Sequence, residues 1–309
     1  MMPDLNVDLI HATVQLEQPL GDGTRTVGTG FLINAPGPHG EPRTVLVTAA
    51  HVFEKMPLAQ ARVGYRVANA DGSWTYAPAP LEIRQASGEP RWTKHPGRDI
   101  AVMSIKAPDR FVKAAIPLAW LADDQTFERA RVSAGDEMMA LGFPRGLSAN
   151  GAGFPILRSG KVASYPLGPA SIFPTFLLDF SVFPGNSGGP VFMAPRSRDP
   201  AETAPLSVVA GLSAQTGAAA AQAAGQEAAS AGLSEPAPRA FIAGLLTQQV
   251  ELNQERLEIG IVTHARFIRE AIRLLDAAEP PQGAPARPAP AQHANAAGAA
   301  SAEAYASTP

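Results

Sequence analysis

Gly185-Asn186-Ser187-Gly188-Gly189-Pro190 is the most informative stretch of the chain. A serine that attacks a carbonyl needs its hydroxyl on a tight turn, with backbone N–H groups aimed at the oxygen that becomes negative. Glycine permits such a turn: Gly185 can take conformations closed to other residues, and Gly188 and Gly189 let another backbone come close. The same composition between two strands also suits an ordinary turn. The hexapeptide therefore gains meaning only from what accompanies it.

Upstream, Thr44-Val45-Leu46-Val47-Thr48 alternates as a strand and runs into Ala49-Ala50-His51, which places an imidazole where the strand ends. A general base near neutral pH suits a histidine, although a single histidine is commonly a hydrogen-bonded structural residue. Arg98-Asp99-Ile100-Ala101-Val102 sets an aspartate just before another apolar strand. From there a carboxylate can accept the far N–H of an imidazole, or simply start the strand within a turn. The order His51, Asp99, Ser187, each at a strand boundary, favours the chemical reading of all three. His11, His39, His95, His264 and His293 stay structural, and no pair has the i, i+4 spacing of a helical zinc site.

Around these residues the chain reads as short apolar runs broken by turn residues, the pattern of all-β barrels and sandwiches. Strands are expected at His11–Leu16, Gly28–Ile33, Thr44–Thr48, Gly64–Ala68, Ile100–Ile105, Glu137–Gly142, Ile156–Ser164, Thr175–Phe180, Pro190–Met193, Phe241–Val250 and Leu257–Thr263. The clearest helix is Ala265–Ala277, where Ile268, Ala271, Ile272 and Leu275 share a face. Between Gln215 and Pro238 the only large apolar residue is Leu233, so a mobile insertion is expected. Pro280–Pro309 lacks Val, Ile, Leu, Met, Phe and Trp and reads as a disordered Pro/Ala-rich tail.

Composition narrows the partners. With 45% hydrophobic residues the 309-residue chain can build a sizeable core, and a net charge of -3 without a basic run argues against nucleic acid. The absence of cysteine removes thiol nucleophiles, disulfides and Cys-ligated metals, and no pattern calls for a metal or another cofactor. The start carries Asp4 and Asp8 without a basic then apolar leader, and no apolar run is long enough to span a bilayer. A cytoplasmic protein without membrane insertion is the expectation.

Taken together these segments resemble the trypsin-like serine proteases of the chymotrypsin fold, in the style of bacterial HtrA/DegP-like peptidases. The resemblance rests on Gly28-Thr29-Gly30-Phe31-Leu32-Ile33, Thr48-Ala49-Ala50-His51, Asp99-Ile100-Ala101-Val102, the segment Gly135–Pro144, Ser159-Gly160-Lys161-Val162 and the Ser187 hexapeptide, in that order. It implies an all-β fold of two six-stranded antiparallel β-barrels, about 7–120 and 121–264, followed by the C-terminal helix at about 265–277, all within a peptidase domain of residues 1–279. It further implies Ser187 as nucleophile, His51 as base and then acid, Asp99 as its orienting partner, and the N–H groups of Gly185 and Ser187 as the oxyanion hole. The substrate would be a polypeptide.

The chain also departs from the family. Asn186 stands where digestive enzymes carry an aspartate that pairs with a new N-terminus, and no Ile-Val-Gly-Gly segment follows a basic site, so activation by cleavage is not expected. No PDZ module is expected after the helix. Ser181, six residues before Ser187, takes the place of the primary-pocket floor, and without a carboxylate there an apolar or small side chain is the expected preference. For the strand that pairs with substrate, Val208–Ser213 and Phe241–Leu246 compete. The second is favoured, because Glu251–Arg256 makes a short turn into Leu257–Thr263, and it nominates Ala243, Gly244 and Leu245. A different class of function stays open: a catalytically silent or partner-gated protease-fold module that holds peptide without cutting it.

Overall fold

The computed structural model describes residues 5–194, 240–252 and 255–278. The expected insertion at 215–238, the tail from 280 and the competing strand Val208–Ser213 lie outside the described residues.

The chain begins with a short helix, α1 (Leu5–Ala12), which buries Leu5, Leu9 and Ala12, and then enters β1 (Thr13–Pro19). The first sheet contains β2 (Arg25–Asn34), β3 (Thr44–Thr48), β4 (Gln60–Ala68), β5 (Trp74–Glu82), β6 (Thr93–Lys94) and β7 (Ala101–Ile105). An eighth strand, β8 (Ile116–Pro117), pairs in parallel with β2. Its path runs β5-β4-β1-β2-β3-β7-β6, so this unit is an eight-stranded sheet with two ends, and no ladder among the described residues joins β5 to β6. That corrects the expectation of a closed six-stranded barrel here. The reason is visible in β5, whose Pro78 and Pro80 pair with Gly64 and Arg62 of β4. Proline has no N–H to offer a further strand, so β5 suits an edge.

The second sheet does close. β9 (Glu137–Gly142), β10 (Ile156–Val162), β11 (Thr175–Asp179), β12 (Pro190–Met193), β13 (Phe241–Leu252) and β14 (Glu255–His264) form a six-stranded barrel in the order β10-β11-β14-β13-β12-β9. Apolar residues of both sheets join one core, from Leu16, Phe31 and Leu46 on the first to Phe176, Phe192 and Phe241 on the second. Burying each such side chain contributes about 1.5–3 kcal/mol, and this drives the two sheets together. Short helices α2 (Ala50–Glu54), α3 (Asp109–Ala114) and α4 (Asp124–Arg129) fill the connections. The last helix, α5 (Ala265–Ala278), lays Phe267, Ile268, Ala271, Ile272 and Leu275 on the core, against β7 of the first sheet and β13 of the second.

Candidate active site

His51 and Asp99 meet because of strand register. β3 and β7 are antiparallel neighbours with Thr48 opposite Ala101, so continuing the pairing past both strand ends brings Ala49–His51 alongside Asp99. All five residues of β3 are buried, and Ala49 and Ala50 are fully buried at the turn into α2. Asp99 then grips the histidine at two points: Oδ1 accepts the His51 backbone N–H at 2.9 Å, and Oδ2 lies 2.6 Å from Nδ1. With Nδ1–H given to the carboxylate, Nε2 carries the lone pair. Partial burial raises the Asp99 pKa, but the bonds and charge of His51, with Lys94 beyond, outweigh it and hold the carboxyl below its usual range.

The Ser187 turn is built so that its carbonyls are occupied and two N–H groups are not. Pro184 O accepts the Arg145 N–H at 2.6 Å, Gly185 O accepts Thr29 Oγ1–H at 2.6 Å, and Asn186 O accepts the Gly189 N–H at 3.1 Å. Each peptide plane is thereby fixed, and in a trans peptide the N–H points opposite the C=O. Among the described residues no acceptor takes the N–H of Gly185 or of Ser187, and both belong to planes whose oxygen is anchored. Gly185 sits at φ +98°, and a Cβ there would lie 2.3 Å from Phe143 O, so only glycine fits. Neighbouring Asn186 is buried, and its Oδ1 finds no partner among the described residues.

Close backbone contact brings this turn to the histidine. A Cβ on Gly188 would lie 2.0 Å from Thr29 O, 2.3 Å from Thr48 Oγ1 and 3.0 Å from Ala49 N, two residues before His51. The Thr29 N–H donates to Ser187 O at 2.9 Å, and on the other side the Gly188 N–H donates to Leu246 O at 2.8 Å. The serine hydroxyl itself donates to Thr247 O at 3.1 Å, and among the described residues it makes no hydrogen bond to His51.

The residues nominated for substrate contact fare differently. Ser181 is half-buried in the segment leading to the turn. Gly244 and Leu245 pair with β12 on one side and β14 on the other, and Ala243 is fully buried beside them, so all three stand within the barrel wall. The β12 ladder ends at Pro190 opposite Leu245, Leu246 is still hydrogen-bonded to Gly188 and Gly189, and beyond Leu246 the only ladder of β13 among the described residues is with β14. A bulge at Thr247, where the register skips between Leu246 and Gln248, turns Thr247 O toward Ser187. Thr29 and Thr247 are the contributors that sequence reasoning missed. Thr29 carried a signal, since it sits in the quoted Gly28–Ile33 segment, whereas Thr247 depends on a bulge that no local pattern marks.

Among the described residues no group of three or more His, Asp or Glu side chains is disposed to hold a metal ion, and no helix is long and apolar enough to cross a membrane.

A family model described as a trypsin-like peptidase domain matches residues 28–196, more than half of the chain. The chain belongs to the trypsin-like peptidase family. Solved structures of similar fold include a serine-to-alanine form of the HtrA-type protease AlgW with a tripeptide, at 16% identity and a TM-score of 0.47, over 87% of this chain and 62% of that one. The same protease with a decapeptide aligns at 16% identity and a TM-score of 0.46, over 88% of this chain and 65% of that one. The chain thus spans less than two thirds of the length of either. No curated protein matches it in sequence.

Proposed function

We propose that this protein is a serine endopeptidase that cleaves polypeptides through an acyl-enzyme. The observation that carries the reading is the pairing of two features at one place. Asp99 fixes the tautomer that leaves His51 Nε2 basic, and the anchored Ser187 turn presents two uncommitted N–H groups.

In this reading the Ser187 hydroxyl leaves Thr247 O by rotation of its side chain and gives its proton to His51 Nε2 as Oγ bonds to the scissile carbonyl carbon. The carbonyl oxygen becomes an anion held by the N–H groups of Gly185 and Ser187, a contribution of about 3 kcal/mol per donor in comparable sites. The imidazolium, stabilised by Asp99, then protonates the departing amine as the C–N bond breaks. Water repeats the sequence on the acyl-enzyme and frees Ser187. An extended peptide would add to the edge of β13 beyond Leu246. Ser181 offers no carboxylate to a cationic side chain.

One observation favours a second reading. The hydroxyl engaged with Thr247 O is the arrangement expected of a partner-gated or silent peptide-binding module. A fluorophosphonate probe separates the two. Labelling of Ser187 in the wild type, abolished in Ser187→Ala without loss of the fold, supports the endopeptidase. A folded wild type that binds peptides but neither labels nor turns them over, with binding unchanged in Ser187→Ala, refutes it. Cleavage-site profiling on a peptide library then tests the preference at the scissile position.

A further inference from the structure

We infer that Thr29 is a positioning residue that holds the oxyanion-binding conformation of the Ser187 turn from the opposite sheet. This rests on the endopeptidase reading above and adds a residue to it. Thr29 lies in mid β2, fully buried, and all of its polar atoms are engaged. Its N–H donates to Ser187 O at 2.9 Å, and its carbonyl accepts Thr48 Oγ1–H at 2.7 Å. Its hydroxyl donates to Gly185 O at 2.6 Å and accepts the Phe143 N–H at 3.1 Å. One side chain thus ties together the glycine of the serine turn and the end of β9, both belonging to the second barrel.

The geometry at Gly185 explains why this matters. Its N–H belongs to the 184–185 peptide and its C=O to the 185–186 peptide. Arg145 anchors the first plane through Pro184 O, and the second is held at both edges, by Thr29 through Gly185 O and by Phe183 O, which accepts the Asn186 N–H at 3.0 Å. Glycine at φ +98° is free to rotate into several other wells, so the backbone conformation is set by these three bonds rather than by intrinsic preference, and the Thr29 hydroxyl supplies the one that reaches Gly185 O from the opposite sheet. With the hydroxyl removed, Gly185 O and the Phe143 N–H are buried without partners, and the 185–186 plane gains by turning Gly185 O elsewhere. That rotation changes ψ of Gly185 and φ of Asn186, so the Ser187 N–H is displaced relative to the Gly185 N–H, which Arg145 still holds through Pro184 O, and the two donors no longer converge on one oxyanion. A threonine serving only to fill the core would show no such preference for its hydroxyl.

The test uses the full chain and a fluorophosphonate probe, whose phosphoryl oxygen occupies the oxyanion position while Ser187 displaces fluoride. The maximal labelling rate and the probe's half-saturating concentration are measured for wild type, Thr29→Val, Thr29→Ala and Thr29→Ser, with thermal melting alongside. Loss of one oxyanion donor costs about 100- to 1,000-fold, so a hole populated only part of the time should cost about 10- to 100-fold. Thr29→Val and Thr29→Ala should show that fall in maximal rate, with half-saturation within about twofold of wild type. Thr29→Ser should return to within about threefold of wild type, because it restores the bond to Gly185 O. Equal rates in Thr29→Val and wild type, or a Thr29→Ser variant as slow as Thr29→Val, overturn the inference. So does failure of both hydroxyl-free variants to fold, since Thr29 would then be a folding staple. A folded wild type that never labels defeats the endopeptidase reading itself, and with it this one.

Discussion

Asp99 holds His51 through both carboxylate oxygens, one on the backbone N–H at 2.9 Å and one on the ring Nδ1 at 2.6 Å. The first bond fixes where the residue sits, and the second fixes the ring and its tautomer. Asp99→Asn keeps an oxygen for the backbone but offers the ring an amide. Activity should drop by about 10⁴-fold, as expected when such a tautomer is lost, while the melting temperature moves little. Labelling kinetics beside a thermal melt check both. Because the Asp99 pKa is held below its usual range in the fold, its contribution to stability is present above the ordinary carboxylate range. That contribution is lost only as pH falls through the depressed value.

His264 supplies a separate pH dependence. It is buried against Phe127 and Phe176, with ring centroids at 4.8 and 5.0 Å. Desolvation, partly offset by the charge of Asp124 and a hydrogen bond that the ring donates to the Leu167 backbone, pushes its pKa down to about 4 from 6.5. The unfolded chain therefore takes up a proton at His264 before the folded one does, so stability falls as pH is lowered from about 6.5 to 4, by about 3 kcal/mol in all. Urea unfolding across this range should show the slope, and His264→Leu should flatten it. A slope unchanged in that variant would place its origin elsewhere.

Two glycines at nearly the same φ should respond in opposite degree to alanine. Gly188 (φ +90°) has backbone oxygen and nitrogen atoms where a Cβ would go, whereas Gly88 (φ +88°) has nothing within 4 Å. Gly88→Ala should cost only the left-handed strain, about 1–2 kcal/mol. Gly188→Ala must also push β2 and β3 away from the serine turn, at more than about 3 kcal/mol, with labelling lost. Denaturant midpoints of the two variants provide the comparison.

Arg66 is fully buried on β4 and donates to the carbonyls of Ile10, His11, Thr13 and Gly153, flanked by the rings of Phe111 and Phe154. Burial pushes its pKa down to about 10, so it stays cationic at neutral pH. Arg66→Ala orphans four carbonyls at roughly 1 kcal/mol each and should cost about 4 kcal/mol. Since three of them lie at the end of α1 and the start of β1, amide exchange should rise first in residues 5–12. Uniform loss of protection across the chain would contradict this local role.

The residues that define the candidate site could be read from the chain because each sits in a local backbone motif. Ser187 is flanked by glycines that only a constrained turn requires, and His51 and Asp99 adjoin apolar strands whose pattern is self-evident. Strands of the second barrel and α5 were legible for the same reason, whereas closure of those strands into a barrel came only with the family resemblance. β5 was not, because Pro78 and Pro80 disguise a strand that pairs on one side only. α1 escaped as well: its short apolar face becomes a helix in the presence of a guanidinium donated from more than fifty residues away.

Local chemistry encoded in the order of residues marked Ser187, His51 and Asp99 as the candidates that the proposed reading uses, since conformational demands on glycine and strand ends are written in neighbouring positions. Tertiary structure alone decided which backbone groups remain uncommitted. Whether Gly185 N–H is free, or the edge of β13 open past Leu246, depends on partners supplied by distant segments such as Thr29, Arg145 and β12. Hydrogen bonds saturate, so the availability of any one donor is a property of the whole fold rather than of the sequence around it.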